Sequence, residues 1–253
     1  MNNIFVLGHT GMLGHIVHNY LSSKIDCNVI TTNFRWPENE FKKVLIDFSS
    51  QKKTIVVNCI GAIPQKVDSF KINYDLPLWL EQSFNNNFEC KIIHPGTDCE
   101  IDENKYGLSK RRASDFILKN GKITKIIKTS IIGPELTGKK SLFEWFLNNK
   151  GEQVYGFDQF YWNGITTLQW ANICYDMIIN WKNYDILTVP STNCISKYEL
   201  LKKIKKVFNK QVNIKKNSEI KVNKCLTGNL IVPSIGTQLI ELKNHMNKNH
   251  IID

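Results

Sequence analysis

The segment NIFVLGHTGMLGHIVHNYLSS, residues 3–23, decides how the rest of the chain is interpreted. NIFVLG is an apolar run that predicts a short strand, and the residues that follow change to helical spacing. Gly8, Gly11 and Gly14 lie at this junction. Glycines there allow a tight turn, a close approach of backbone to a pyrophosphate and close helix–strand packing. The spacing Gly-x2-Gly-x2-Gly departs from the more familiar Gly-x-Gly-x2-Gly, so ordinary strand-to-helix punctuation remains an alternative.

The next 110 or so residues alternate between strand-like and helix-like patterns. Predicted strands are rich in β-branched residues and show little polar alternation: NVITTN, TIVVNCIGA, KIIHPG and ITKIIKTSIIG. Such strands are buried on both faces, as in a parallel sheet. Two helical patterns lie among them, SFKINYDLPLWLEQSFNN and YGLSKRRASDFILKN. The alternation predicts an α/β fold with a doubly wound parallel sheet and right-handed crossovers.

The pattern changes after about residue 133. An amphipathic helix (SLFEWFLNNKG), a short strand (VYGF) and three further helices follow, the first with Thr166 or Thr167 as its predicted N-cap. We therefore expect residues 1–133 to form the sheet domain. We expect residues 134–253 to form mainly a smaller α/β lobe that contacts substrate, with part of the chain returning to the sheet.

Charge limits the classes of partner. The 253 residues carry a formal net charge of +10, which suits an anionic ligand, nucleic acid or small phosphorylated molecule. The alternative is that the lysines simply cover solvated faces. The basic clusters KKIKKVFNK and NIKKNSEIKVNK lack interleaved Arg, Gly and aromatic residues, so we expect no nucleic-acid partner.

The cysteines bear on compartment and metal binding. Seven are present, with no CxxC and no histidines at metal spacing: Cys27, Cys59, Cys90, Cys99, Cys174, Cys194 and Cys225. This pattern favours a reducing compartment over disulfides and predicts no metal site. The chain opens directly into a strand, and no apolar run approaches the ~18 residues of a membrane span. We expect a cytoplasmic protein without a membrane partner.

The end of the second predicted strand bears on cofactor choice. It reads TTNFRW, with Asn33 and Arg35 and no carboxylate before Glu38. An acidic residue there holds a ribose 2′-hydroxyl, whereas an arginine suits a 2′-phosphate. The pattern favours NADPH, with NADH as the alternative. Arg35 as an exposed loop charge without a ligand is also open.

A phenol and an ammonium occur one helical turn apart in GTDCEIDENKYGLSKRR. Tyr106 and Lys110 are at i,i+4, so a helix places them on one face. A lysine favours phenolate and is predicted to lower the pKa of Tyr106 toward working pH, which would suit a general acid. The alternative is an exposed helical pair of no chemical consequence.

Taken in order, the motifs GHTGMLG, IDFSS, VVNCIGAI, GTD, YGLSK and TSIIGPE resemble the extended short-chain dehydrogenase/reductases. More narrowly, they resemble the branch similar to dTDP-4-dehydrorhamnose reductase, which reduces 4-keto groups on nucleotide-linked deoxysugars. The resemblance covers nearly the whole chain and includes GFDQFYWNGITTLQWA in the C-terminal lobe. It implies a Rossmann-like sheet domain.

The resemblance also implies residue roles. Gly11, Met12 and Leu13 would line the pyrophosphate, Asp47 and Phe48 the adenine, and the segment after the third strand the central part of the cofactor. The full set expected along the cofactor is Gly8, Gly11, Met12, Leu13, Gly14, Asn33, Arg35, Asp47, Phe48, Gly61, Ala62, Ile63, Tyr106 and Lys110.

For catalysis, the resemblance implies that Thr97 hydrogen-bonds the substrate carbonyl, Tyr106 protonates its oxygen and Lys110 holds the nicotinamide ribose. Only eight residues separate Thr97 from Tyr106, against roughly two dozen in most relatives, so a loop is shortened. Cys99 resembles the acid/base cysteine of related epimerase-reductases, and Lys140 their second acid/base. Residues expected at the substrate are Thr97, Asp98, Ile131, Trp162 and Asn163.

The resemblance therefore implies NADPH-dependent reduction of a UDP- or dTDP-linked 4-keto-6-deoxyhexose. The favoured substrate is UDP-2-acetamido-2,6-dideoxy-4-hexulose, giving a UDP-N-acetyl-L-rhamnosamine-type sugar, with dTDP-4-dehydrorhamnose as a second option and 3-epimerase activity open. The alternatives are an epimerase or dehydratase with retained NAD(P) and a non-catalytic NAD(P)-binding regulator. A homodimer is compatible with each.

Overall fold

The structure is a computed structural model that describes residues 2–24, 26–51, 53–67, 69–86 and 89–249. Its strands are β1 Asn2–Leu7, β2 Cys27–Ile30, β3 Thr54–Asn58, β4 Cys90–Gly96, β5 Thr124–Lys128, β6 Ile131–Ile132, β7 Gln153–Phe157, β8 Phe160–Trp162, β9 Ile165–Thr166, β10 Leu187–Thr188, β11 Pro190–Ser191, β12 Ile195–Ser196, β13 Asn213–Asn217, β14 Val222–Asn223 and β15 Leu230–Ile231. Its α-helices are α1 Met12–Ser22, α2 Asn39–Ser49, α3 Ile72–Phe84, α4 Lys105–Asn120, α5 Leu142–Asn148, α6 Thr167–Ile179, α7 Lys197–Phe208 and α8 Ile235–Lys248.

The chain divides into two compact units. Unit 1 comprises residues 1–128 and 171–188, and unit 2 comprises residues 129–170 and 189–253. The first break therefore follows Lys128, five residues before the sequence-based boundary at 133. The chain returns to unit 1 within α6, and β10 pairs with β5.

Unit 1 is built on a six-stranded sheet in the order β10-β5-β4-β3-β1-β2, with every neighbouring pair parallel. The strand order reverses between β1 and β3. All five residues of β3 are buried, which explains its lack of polar alternation. The predicted α/β, doubly wound parallel sheet is confirmed. In such sheets ligands bind outside the carboxyl ends of the strands at the reversal, where Gly8 follows β1 and Cys59 follows β3.

One helix of unit 1 was not predicted. Helix α2 is rich in charged residues, but Phe41, Leu45 and Phe48 lie at helical spacing and are buried. They belong to a core cluster that also includes Phe5, whose ring centroid lies 5.1 Å from that of Phe48. The charged residues on the exposed face of α2 mask the helical periodicity of its short apolar stripe, so the sequence did not predict this helix.

Unit 2 combines small sheets with helices α5, α7 and α8. Parallel pairs form between β6 and β9, β7 and β13, and β11 and β15, while β12 and β14 flank β8. Thr166 accepts a hydrogen bond from the Gln169 backbone N–H at 3.1 Å, so the N-cap prediction for α6 is confirmed at Thr166.

Unit 2 also corrects the expectation that the cysteines are unpaired. Cys194 and Cys225 form a disulfide with a Cα–Cα distance of 5.9 Å. The residues are 31 positions apart, so their pairing depends on tertiary structure and sequence spacing gave no sign of it. In the described part of the chain, no helix is long and apolar enough to cross a membrane.

Candidate active site

The glycine turn has the geometry that a pyrophosphate requires. Gly8 has φ +73°, and a Cβ added there would lie 3.1 Å from the Cys59 carbonyl carbon. A Cβ on Gly14 would lie 2.0 Å from the Gly8 carbonyl oxygen, so helix α1 could not pack this closely with any larger residue. Gly11 is the N-cap and provides no side-chain hydrogen bond, which leaves the first-turn N–H groups uncapped by it. These residues fit a bound dinucleotide.

The loop after β3 is fixed by a buried asparagine. Asn73, in α3, is 1% exposed. Its Oδ1 accepts from the Ala62 N–H at 2.7 Å, and its Nδ2 donates to the Ala62 carbonyl at 2.9 Å. Nδ2 also donates to the Ser109 hydroxyl at 3.1 Å, and Ser109 donates to the Tyr106 carbonyl at 2.7 Å. Asn73 thus connects Ala62 of the predicted cofactor loop to the helix that carries Tyr106.

A second asparagine holds the start of the same loop. Asn58 Oδ1 accepts from the Ile60 N–H at 3.0 Å, and Asn58 Nδ2 lies 3.2 Å from His94 Nδ1. His94 is buried, and burial lowers its pKa well below the usual value, with Lys110 acting in the same direction. Neutral His94 therefore accepts at Nδ1. The sequence analysis did not identify Asn58 or Asn73, because their roles arise only when loop and helix meet.

Thr97 and Cys99 surround a buried carboxylate at the start of a 3-10 helix, Asp98–Ile101. The Thr97 hydroxyl donates to Asp98 Oδ1 at 3.0 Å, and the Cys99 thiol lies 3.6 Å from the same oxygen. Thr97 Oγ1 in turn accepts from the Cys99 N–H at 3.3 Å. The three consecutive residues form one polar cluster after β4.

Tyr106 meets this cluster, but its pKa differs from the prediction. Burial raises the pKa of Tyr106 above the usual value, and neighbouring Cys99, Asp98 and Glu100 raise it further, whereas Thr97, which lies beside the phenol, acts in the opposite direction. The expectation that Lys110 lowers this pKa is corrected. Burial and the acidic neighbours of the phenol determine the direction of the shift, while Lys110 Nζ is bonded to the Pro95 carbonyl. Tyr106 keeps its proton across the physiological range and can only donate it when a base develops nearby.

Lys110 is buried and bonded to backbone. Its side chain is 6% exposed, and Nζ donates to the Pro95 carbonyl at 2.8 Å. Burial lowers its pKa to about 8, although Glu100 acts in the opposite direction. Glu100 itself accepts from the Thr97 N–H at 2.9 Å and pairs with Lys128 Nζ at 2.8 Å. Glu100 therefore positions Thr97 and is a further residue that the sequence analysis did not assign.

The other predicted cofactor residues lie either in the exposed segment after β2 or next to the loop after β3 and the glycine turn. Asn33 and Arg35 lie exposed after β2, and no described residue bonds the Arg35 guanidinium. Gly61 and Ile63 flank the buried Ala62 in the loop fixed by Asn73, and Met12 and Leu13 begin α1.

The residues predicted to contact adenine lie in α2. Phe48 is 4% exposed and its ring packs against Phe5. Asp47 lies on the exposed side of α2. The IDFSS motif therefore forms the end of a core-forming helix, and its contact with adenine stays a prediction.

Four of the predicted site residues belong to unit 2. Asn163 Nδ2 donates to the Leu226 carbonyl at 2.8 Å and its Oδ1 accepts from the Leu226 N–H at 2.9 Å, so both ends of the amide already have partners. Trp162 is 3% exposed. Asn163 is thus bonded and Trp162 buried within unit 2, and their contact with substrate stays a prediction. Ile131 is half-buried in β6, and Lys140 is exposed in the loop before α5.

The chain is similar to solved structures of nucleotide-sugar enzymes. A dTDP-4-dehydrorhamnose reductase from Clostridium acetobutylicum is 18% identical, covers 97% of this chain and 99% of that chain, and has a TM-score of 0.73. The corresponding reductase from Bacillus anthracis, solved with NADP, is 17% identical over 97% of this chain and 100% of that chain, with a TM-score of 0.72. A dTDP-glucose 4,6-dehydratase from Bacillus anthracis, solved with NAD, is 13% identical over 99% and 98% of the two chains, with a TM-score of 0.71.

No family model and no curated protein matches the sequence. The structural neighbours are dTDP-4-dehydrorhamnose reductases and related extended short-chain dehydrogenase/reductase enzymes. At these identities the likeness shows the fold, so the Rossmann-like architecture is confirmed.

Proposed function

We propose that the chain is an NADPH-dependent reductase of a 4-keto nucleotide sugar, of the dTDP-4-dehydrorhamnose reductase type. The observation that carries the proposal is the placement of the Tyr106 phenol beside Thr97 and Cys99 in unit 1, with buried Lys110 one turn further along α4. The same unit contains the glycine turn and the Asn73-fixed loop. Neighbours with the same fold bind NADP or NAD, which supports the cofactor class.

The chain's own residues would divide the binding of the cofactor. Gly8, Gly11 and Gly14 allow the pyrophosphate to approach the start of α1. The unbonded guanidinium of Arg35 would hold a 2′-phosphate, which favours NADPH over NADH. Lys110 would hydrogen-bond the nicotinamide ribose. When bound, the reduced nicotinamide supplies a hydride to the carbonyl carbon.

The protein supplies position and a proton. Thr97 would hold the carbonyl oxygen, and Tyr106 would donate its phenolic proton to that oxygen as negative charge develops there. The raised pKa of Tyr106 keeps the donor protonated until the oxygen becomes basic. The carbonyl is thereby reduced to an alcohol by one hydride and one proton.

The finer assignment is a UDP-2-acetamido-2,6-dideoxy-4-hexulose substrate and a UDP-N-acetyl-L-rhamnosamine-type product, with dTDP-4-dehydrorhamnose as the second substrate. Cys99 supports an added epimerase step, since its thiol adjoins Asp98 and Tyr106. The carbonyl acidifies a neighbouring C–H, and a thiolate can remove that proton. In unit 2 no structural observation links Lys140 to this step.

The alternatives are less well supported. A dehydratase would require a free acid beside Thr97, yet Asp98 already accepts from the Thr97 hydroxyl, and Glu100 is engaged by Lys128 and the Thr97 N–H. A non-catalytic regulator gives no reason for a buried tyrosine beside Thr97 and a buried lysine one turn away.

The deciding experiment follows NADPH absorbance while each 4-keto nucleotide sugar is supplied, in light and heavy water. Stoichiometric NADPH consumption with formation of the 4-hydroxy sugar supports the reductase. Deuterium at C3 or C5 of the product adds the epimerase. Sugar conversion without net NADPH consumption would identify a cofactor-retaining epimerase, and tight NADPH binding without turnover of any sugar would identify a regulator.

A further inference from the structure

The basic residues of the chain are concentrated in one stretch of unit 2. Residues 197–224 contain ten lysines, two glutamates and no arginine. Their formal net charge is therefore +8, compared with +10 for the whole chain. Lysines that merely reflect composition would be distributed along the chain. This stretch forms helix α7, strands β13 and β14, and their connections.

Part of this stretch lines an open cavity of about 470 Å³ that we call the lysine cavity. Its walls include Lys202, Lys205, Lys206 and Lys210. Among the residues that the structure describes, none with a carboxylate lines this cavity, and none forms an ion pair with these four lysines. The volume lies in the range of small-molecule sites.

The arrangement brings like charges together. Lys202 and Lys206 are at i,i+4 on α7, and Lys202 and Lys205 are at i,i+3, spacings at which like charges destabilise a helix. An acidic residue at either position would have relieved this repulsion. A bound anion relieves it equally well.

Other wall groups hold the lysines and offer hydrogen bonds. Lys210 Nζ donates to the Leu147 carbonyl at 2.8 Å, which fixes one ammonium at the wall. Lys202 Nζ lies 5.4 Å from the Tyr198 ring centroid, in cation–π range. Asn209 and Asn213 also line the cavity and add polar groups.

We propose that the lysine cavity binds an anion with two or more adjacent phosphate groups. Four lysines around one cavity favour a ligand with repeated negative charge. Lysines bind phosphate as point charges without the bidentate geometry of arginine. The concave shape favours a small molecule over a membrane surface. Nucleic acid is disfavoured because Tyr198, the one aromatic wall residue among those described, already faces Lys202 and Lys216. The proposal does not depend on the proposed reductase function.

The test is calorimetric titration of the full chain with inorganic tripolyphosphate at low salt. We expect saturable 1:1 binding that is at least tenfold tighter than that of orthophosphate. The triple variant Lys202→Gln/Lys205→Gln/Lys206→Gln should bind at least tenfold more weakly. The control triple Lys215→Gln/Lys221→Gln/Lys248→Gln removes the same charge from exposed lysines of unit 2 outside the cavity, and should stay within twofold of the parent.

Equal losses in both triple variants would assign binding to the general field of the protein and overturn the proposal. So would loss of tripolyphosphate binding when NADPH is saturating, because that places the anion at the glycine turn. Association with phosphatidylserine vesicles or a single-stranded oligonucleotide through the same lysines, without tripolyphosphate binding, would overturn it in favour of those partners. ATP that binds more tightly than tripolyphosphate supports the proposal and indicates a nucleoside ligand, whereas equal affinity supports it with the phosphate chain alone recognised.

Discussion

The charged residues of the two units differ in burial and in hydrogen bonding. In unit 1 the ionisable groups of the candidate site are buried and bonded: Lys110 to the Pro95 carbonyl, Glu100 to Lys128 and Asp98 to Thr97. In unit 2 the α7 residues Lys202, Lys205 and Lys206 are exposed or half-buried and, within the described residues, form no ion pair with a carboxylate. Buried, bonded charges fix protonation states and suit chemistry, whereas exposed, uncompensated charges suit ligand attraction. The expected effects of mutation should differ accordingly.

The largest effect is expected for the proton donor of unit 1. Tyr106→Phe removes the phenolic hydroxyl and should lower kcat by roughly a thousandfold, because a positioned general acid contributes about 10²–10⁴ in rate. NADPH binding should change little. Rates of NADPH oxidation with the 4-keto sugar measure the effect.

Tyr155→Phe is the matched control for this change. Tyr155 belongs to unit 2 and is 57% exposed, so loss of its hydroxyl should leave kcat unchanged. A Tyr106→Phe enzyme with the parental kcat would remove Tyr106 from the mechanism. Equal losses in both variants would mean that the assay reports general damage to the fold.

The second largest effect concerns unit 2. Cys194→Ser removes the disulfide with Cys225 and should lower the free energy of unfolding of unit 2 by about 3 kcal/mol under oxidising conditions, from loop-closure entropy over 31 residues. Denaturant unfolding of parent and variant, with and without reductant, measures the difference.

Reductant serves as the internal control. It should bring the parent to the stability of Cys194→Ser and leave the variant unchanged. Identical parental curves with and without reductant would show that the disulfide does not form in solution. That result would restore the sequence-based expectation of a chain with unpaired cysteines.

An intermediate effect is expected at the asparagine that connects loop and helix. Asn73→Ala removes three hydrogen bonds, two to Ala62 and one to Ser109. Lost and unsatisfied buried hydrogen bonds cost about 1–3 kcal/mol, so kcat should fall by roughly tenfold as the loop shifts relative to Tyr106. Steady-state kinetics and thermal unfolding measure the two consequences separately.

Ser109→Ala is the control for Asn73→Ala because it removes the bond between Asn73 and α4, together with the Ser109 bond to the Tyr106 carbonyl, and leaves both bonds to Ala62 in place. It should lower kcat by less than Asn73→Ala while preserving NADPH affinity. If Asn73→Ala lowers stability but leaves kcat and KM unchanged, Asn73 supports the fold alone and has no positioning role.

The sequence predicted those features that depend on local pattern. Unbroken apolar runs predicted the buried strands β3 and β4, and Gly8, Gly11 and Gly14 predicted the turn between β1 and α1. Features that depend on tertiary contacts were missed. The sign of the pKa shift of Tyr106 required its burial and three acidic neighbours, and the role of Asn73 required Ala62 and Ser109 to meet across the fold.

The IDFSS motif shows the limit of resemblance. Asp47 and Phe48 match a family pattern in letters, but burial of Phe48 against Phe5 places the segment in a core-forming helix. Likewise, Asn163 lies in a segment that resembles the substrate lobe, yet its amide is bonded at both ends to Leu226. A motif identifies candidate residues, and packing determines which partners their side chains contact.

The smallest effect at neutral pH concerns the titration of Lys110, whose pKa burial lowers to about 8. In the free enzyme, kcat/KM should fall by about tenfold per pH unit above pH 8 as the ammonium deprotonates. Stability should change in the opposite sense. An unfolded lysine keeps its proton up to the ordinary pKa of 10.5, so between pH 8 and 10.5 the unfolded chain binds more protons and the free energy of unfolding rises with pH.

This opposition separates Lys110 from any group whose titration damages both activity and fold. Lys110→Met should abolish the alkaline decrease in kcat/KM along with the alkaline gain in stability, and Lys119→Met, an exposed lysine of the same helix, should preserve both. A kcat/KM that stays flat to pH 10 would mean that Lys110 retains its proton despite burial. The contrast between the charged residues of the two units would then be one of burial alone.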